Sequence, residues 1–319
     1  NFAIFLQLKL HLLCEFKNSK VIKMVKIALG TVQLGMHYGI SNQLGKTEKS
    51  NAEKILKYAS EQDINVLDTA PTYGNAENVI GDFIRNNHKD DYWSVITKTP
   101  HFKGSVIGDK QIKELLESFE LSQNKLGKEN IYGLLVHDCN NIFLPGGKKI
   151  LNTMDRLKRD GVISKIGVSL YNDKQINQLL DNYEVDLVQL PINILDQRLV
   201  NGGQLTRLKN HGVEIHARSV FLQGLLLMPL KNTPPWFDPI KETLELFHKE
   251  AKKRNMSALQ LALSFVQSIN EVDKIIVGIN TLEHLYEVMS ATSMRVNITE
   301  FSNISIDDPS FLNPANWKI

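Results

Sequence analysis

The sequence predicts an α/β protein, a single closed (β/α)8 barrel of the TIM type, and three observations carry that reading. From Lys26 to Thr292 short apolar runs alternate with amphipathic helical stretches in eight strand-then-helix units. No linker rich in Pro, Gly or Ser divides the span, so it reads as one domain. Chemically capable side chains stand at or just past the ends of three successive apolar runs, where a parallel barrel gathers its reactive groups.

Each element has its own justification. The first strand is read over Lys26–Gly30. The first helix spans Lys49–Gln62, with Ala52, Ile55, Leu56 and Ala59 on one face. The stretch N-V-L-D-T-A-P-T-Y-G, Asn65–Gly74, organises the rest: Val66 and Leu67 are β-formers that run into Asp68. Pro71 and Gly74 then turn the chain, so this second strand presents Asp68 and Tyr73 at its carboxyl rim. A helix over Glu77–Asn87 follows. Strand three, Ser94–Lys98, ends on Lys98, and the helix Asp109–Leu126 has Asp109 as its expected N-cap. Strand four, Tyr132–His137, ends on His137 and precedes a helix over Lys149–Arg159. Strands five to eight are read at Lys165–Ser169, Asp186–Leu190, Val213–Ser219 and Lys274–Val277. Their helices lie at Asp173–Asn182, Gln204–Asn210, the pair Ile240–Arg254 and Ser257–Ser268, and Leu282–Thr292.

The ends of the chain are read differently. Residues 1–16 are apolar but interrupted by Lys9, His11 and Glu15, which makes a poor membrane span, and they lack a secretory cleavage pattern. Because Met24 directly precedes the first strand, residues 1–23 are expected to be an upstream extension and 24–319 the barrel. An amphipathic segment covering the barrel floor is the alternative. The tail from Met294 to Ile319 is expected to wrap the surface or lip the cavity.

A net charge of +2 gives no reason to expect nucleic acid or an anionic membrane as partner. Cys14 and Cys139 are the only cysteines and lack metal-type spacing, which fits a reducing compartment such as the cytoplasm. No G-x-G-x-x-G turn follows the first strand, so a Rossmann mode of dinucleotide binding is not expected.

The four rim residues make a chemical set. A phenol is a weak acid, with a pKa of about 10 in water, and a nearby ammonium stabilises its phenolate. Lys98 is able to supply that charge to Tyr73, Asp68 to hold Lys98 protonated, and His137 to point a ring nitrogen at a substrate oxygen. Such a set suits protonation of a carbonyl oxygen as a hydride arrives at its carbon, and the hydride must come from a cofactor.

At these residues the chain resembles the aldo-keto reductase family, in order along nearly its whole length and nearer to bacterial members in its opening motif. L-G-T-V-Q-L-G at Leu29–Gly35, L-D-T-A-P-T-Y-G, V-I-T-K-T-P and L-L-V-H-D are similar to the family's motifs. The resemblance implies a small-molecule carbonyl substrate, Tyr73 as general acid, Lys98 as its neighbour, Asp68 as the partner of Lys98, and His137 as the carbonyl-orienting group. It further implies cofactor contacts from Gly30, Thr31, Ser169 and Gln189, although Leu170 replaces the Asn that usually follows the Ser. Arg218 stands where the family commonly has an aromatic. Stacking on the nicotinamide, contact with an anionic substrate or the pyrophosphate, and pairing with a carboxylate are all open to it. Gly278, Asn280, Thr281, His284 and Glu287 are the implied seat of the cofactor's adenine end, with NADP(H) the default and NAD(H) open.

Around the mouth, His37, Tyr38, Phe102, Phe143 and the Trp236–Phe237 pair offer aromatic surface for an apolar aldehyde or a sugar ring, or pack within their loops. Lys103, Lys148 and Arg218 offer positive charge to an anionic substrate. Two alternatives stand beside the reductase: a cofactor-binding regulatory or scaffold member of the same family, and a barrel lyase or isomerase using Lys98 as a Schiff-base amine.

Overall fold

A computed structural model describes residues 26–88 and 90–319, and the expected extension 1–23 lies outside them. Eight parallel strands close on themselves in sequence order: β1 Ile27–Gly30, β2 Val66–Asp68, β3 Ser94–Lys98, β4 Ile131–Val136, β5 Ile163–Ser169, β6 Leu187–Pro191, β7 Glu214–Arg218 and β8 Lys274–Gly278. β1 pairs with β8, Gly30 opposite Gly278, which shuts the cylinder.

Side chains alternate across a strand, so one parity fills the barrel and the other meets the helices. Ala28, Val66, Ile96, Leu135, Leu187 and Ile276 pack together as a compact inner layer. Two residues further along the same strands come Gly30, Asp68, Lys98, His137, Gln189 and Gly278, all of which line a cavity at the carboxyl mouth. The period-two pattern thus sets apolar filling directly beneath the polar rim.

The opposite parity joins a second, larger core with the helices. Helix α1 (Lys49–Glu61) buries Ala52, Ile55, Leu56 and Ala59, the face its spacing predicts. Helices α2 (Ala76–Asn86), α3 (Asp109–Leu126), α4 (Lys148–Arg159), α5 (Asp173–Asn182) and α6 (Gln204–Asn210) follow their strands in turn. After β7 come three 3-10 turns, then α7 (Lys241–Lys253) and α8 (Ala258–Gln267); α9 (Leu282–Ser290) follows β8. Ser257 caps α8 by accepting the Gln260 N–H at 3.1 Å, and Asn172 caps α5 by accepting that of Gln175 at 2.9 Å. α3 differs from expectation. Gly108 is its N-cap, its N–H donating to Gln111 Oε1 at 3.0 Å, and Asp109 sits in the first turn, paired with Lys149 at 2.9 Å.

The tail folds back onto the loop after β7. The Trp317 ring meets Phe237 edge-on at 5.0 Å, and Phe311 lies 6.2 Å from Trp236. Among the described residues no helix is long and apolar enough to cross a membrane.

Candidate active site

β2 and β3 each end on a charged residue, and their adjacency in the sheet makes those residues neighbours. Lys98 Nζ donates to Asp68 Oδ1 at 2.7 Å and to the Thr69 carbonyl at 2.8 Å, with both side chains buried. Thr31, just past the end of β1, donates its hydroxyl to the Asp68 carbonyl at 2.9 Å, which fixes the β2 end. Gln189 on β6 donates to Asp68 Oδ1 at 2.5 Å. The carboxylate is therefore held by two donors from opposite walls.

Tyr73 is carried on the turn after β2 and stands half-buried in the cavity wall, the centre of its ring 4.9 Å from Lys98 Nζ. Glycine makes this approach feasible. A Cβ on Gly35 would fall 1.8 Å from the Tyr73 carbonyl oxygen, and Gly74 (φ +58°) would bring one within 2.4 Å of the Gly35 carbonyl. The glycines of the two motifs thus pack backbone against backbone and set the position of the phenol.

Burial pushes the Tyr73 phenol above its ordinary range. The Lys98 charge opposes that rise without cancelling it. For Lys98 itself burial works against the charge, but Asp68 and Tyr73 together outweigh it and raise the ammonium pKa. His137 follows β4, its backbone N–H donating to Thr99 Oγ1 at 3.2 Å, and its ring stacks at a tilt 4.2 Å from that of His101. Burial first, then the Lys98 charge, holds His137 down at about 2, so the ring is a neutral imidazole. The set therefore comprises a protonated phenol, a fixed ammonium and a neutral imidazole around one cavity. It is able to deliver a proton and to stabilise the phenolate left behind.

The cavity holds about 470 Å³ and is lined by most of the residues singled out in the sequence: Gly30, Asp68, Tyr73, Lys98, His137, Ser169, Gln189, Arg218, Gly278, Asn280 and His284. Thr31, Thr281 and Glu287 stand outside its wall. The Thr281 hydroxyl caps α9 by accepting the His284 N–H at 3.2 Å, and Glu287 accepts from Ser257 Oγ at 2.7 Å. Of the rim aromatics only Tyr38 reaches the cavity. His37 bonds the Asn42 carbonyl at 2.9 Å, Phe143 packs on Tyr183, Phe102 is buried, and Trp236 and Phe237 are taken up by the tail.

Several lining residues escape sequence reasoning, three of them with a buried polar atom or a stacking contact in the site. Gln33 follows β1 closely and leaves its buried Oε1 without a partner among the described residues; His101 stacks on His137; Tyr171 lies under the Arg218 guanidinium, which is 4.3 Å from the Tyr171 ring centre. A signal for Tyr171 exists, since it is the first aromatic past β5, but its contact depends on the loop path. Among the described residues Arg218 takes none of the carboxylate pairings open to it: it donates to Ser219 Oγ at 3.2 Å and to the Leu170 carbonyl at 3.3 Å.

The residues fit a polar, hydrogen-bonding cofactor. Gln33 Oε1, His137 Nδ1 and Asn280 Oδ1 are buried atoms of the cavity wall that lack a partner among the described residues, the mark of groups awaiting a hydrogen-bonding ligand.

This constellation at the mouth of a closed parallel barrel defines a class of protein, and comparison with known sequences gives the family. The chain belongs to the aldo/keto reductase family, whose sequence profile matches residues 26–306. It is 24% identical over 273 residues to D-arabinose 1-dehydrogenase of Saccharomyces cerevisiae, covering 77% of this chain and 79% of the yeast protein. It is likewise 24% identical over 298 residues to L-glyceraldehyde 3-phosphate reductase of Escherichia coli O157:H7, covering 82% and 85% respectively. A solved candidate aldo-keto reductase from Pseudomonas aeruginosa shares the fold with a TM-score of 0.63 at 19% identity, covering 84% of this chain and 89% of that one.

Proposed function

We propose that this protein is a nicotinamide-dependent oxidoreductase that reduces an aldehyde or ketone to its alcohol, with Tyr73 as general acid. One observation carries the reading: the half-buried phenol of Tyr73 stands beside a buried ammonium that Asp68 holds in place. When bound, the cofactor supplies the hydride that no side chain provides.

The protein's own residues do the rest. Tyr73 holds its proton in the resting site and gives it up as negative charge develops on the carbonyl oxygen. Lys98 compensates the phenolate, and Asp68 keeps Lys98 charged and pointed. Neutral His137 turns a ring N–H toward the same oxygen and so orients the carbonyl. Ser169 and Gln189 would bond the carboxamide of the nicotinamide, with Gln189 dividing its amide between that role and Asp68, and Asn280 would serve the phosphate of the adenine end. NADP(H) is the proposed cofactor, with His284 and the start of α9 receiving its phosphate end.

The relatives' names, an arabinose dehydrogenase and a glyceraldehyde-phosphate reductase, favour a sugar-derived carbonyl here as well. A panel of aldehydes, ketones and keto-sugars followed by nicotinamide absorbance, with NADPH and NADH in parallel, tests the reading. Turnover of at least one carbonyl is expected. Tight cofactor binding with no turnover across the panel would leave a binding protein instead.

A further inference from the structure

Among the described residues three charged side chains line the cavity besides its histidines: Asp68, Lys98 and Arg218. The first two neutralise each other at 2.7 Å. Arg218 closes β7 as Asp68 and Lys98 close their strands, and among the described residues it forms no ion pair. Its hydrogen bonds run to two neutral oxygens, both at lengths long for a charged donor. A guanidinium has five N–H donors, so most of its capacity remains unspent. The Tyr171 ring beneath it at 4.3 Å restrains its plane, and that restraint lowers the entropy lost when a planar anion binds. Half-burial in a cavity wall makes an uncompensated cation at Arg218 costly in part, and an anionic ligand removes that cost. The charge also reaches the reacting groups: against the upward push of burial it draws the Tyr73 phenol down, and it adds to the burial that keeps His137 neutral.

We infer that Arg218 is the specificity determinant for an anionic carbonyl substrate, binding its carboxylate or phosphate while Tyr73 faces its carbonyl oxygen. The inference rests on the reductase reading and narrows its substrate class. The test compares carbonyl pairs matched in shape and differing mainly in charge: para-carboxybenzaldehyde against para-formylbenzamide, with glyceraldehyde phosphate against glyceraldehyde as a second pair. The wild-type protein should favour the anion by about tenfold or more in kcat/KM. Arg218→Met should cut that ratio about tenfold, chiefly through KM, and Arg218→Lys should restore part of it. NADPH affinity, read by fluorescence titration, should stay within about threefold in both variants, since the lost contact belongs to the substrate.

A wild-type ratio near one, or a ratio unchanged in Arg218→Met, overturns the inference while leaving a reductase. NADPH affinity falling about tenfold in Arg218→Met with the ratio unchanged also overturns it, because the guanidinium then serves the cofactor's phosphates. If no carbonyl is turned over, the reductase reading itself fails. Calorimetry of benzoate and of inorganic phosphate on the NADPH-loaded protein then decides separately. Binding that Arg218→Met abolishes keeps the anion site, and no binding removes it.

Discussion

A phenol serves as an acid only if it still carries its proton when the carbonyl oxygen needs it. Sequence reasoning expects Lys98 to make Tyr73 more acidic, and the charge does act that way, but burial outweighs it and the phenol pKa ends above its ordinary range. In the proposed reaction the ammonium's main effect would therefore fall on the phenolate. Lys98→Met should lower kcat by about 10²–10³ while cofactor affinity, measured by titration, stays near the wild-type value. His137 stays neutral over the working range, with its pKa at about 2. Replacing it with Asn should accordingly leave the shape of the pH–rate profile unchanged between about pH 5 and 8, whatever it does to the rate. An inflection in that window that vanishes with His137 would contradict the neutral assignment.

The turn after β2 is where two motifs lock together, and its glycines explain why both are needed. Gly35→Ala drives a methyl into the Tyr73 carbonyl, which sits 1.8 Å from the added Cβ, so the turn must shift. Overpacking of this kind costs about 1–3 kcal/mol, and here it also displaces the phenol. The expected result is a kcat loss larger than the drop in melting temperature would suggest, checked by kinetics and calorimetry on the same preparation. Such elements were largely legible beforehand. Eight strands and their amphipathic helices stand within about two residues of their expected bounds, because alternation and helical spacing are local signals. Asp109 shows the limit, since Gly108 and Gln111 form a cap without a side-chain acceptor at the N-cap. The rim aromatics show another. Whether Trp236 and Phe237 face ligand or tail depends on where residues some 75 positions later return, as the Trp236–Ser310 hydrogen bond records, and no local pattern reports that. Tyr171 and Gln33 escaped for the same reason, while the strand-end residues were readable because the barrel itself brings them together.

Viewed whole, the barrel is polar at both ends of its interior and apolar between. At the floor, Glu214 accepts from the Tyr132 hydroxyl at 2.9 Å and from Lys165, and meets His216 Nε2 at 2.6 Å. Burial acts to raise the Glu214 carboxyl, but the His216 and Lys165 hydrogen bonds outweigh it and hold the group at about 2. A depressed carboxylate stabilises the fold above its unfolded pKa and loses that contribution as the pH falls toward the folded value. Glu214 should therefore contribute on the order of 3 kcal/mol at neutral pH, lost between about pH 4.5 and 2. Glu214→Gln should lower the neutral melting temperature and flatten its acid dependence over that window. An acid limb unchanged in the variant would assign acid unfolding to other groups. This floor cluster went unseen in the sequence because its members come from three separate strands and carry no motif.

Tyr73 is the proposed proton donor, and its most direct test is single-turnover hydride transfer in Tyr73→Phe, with NADPH affinity determined on the same protein. A rate lower by about 10²–10⁴ with affinity within about twofold of wild type is the predicted result. A rate close to wild type, or affinity collapsing in step with the rate, would contradict it.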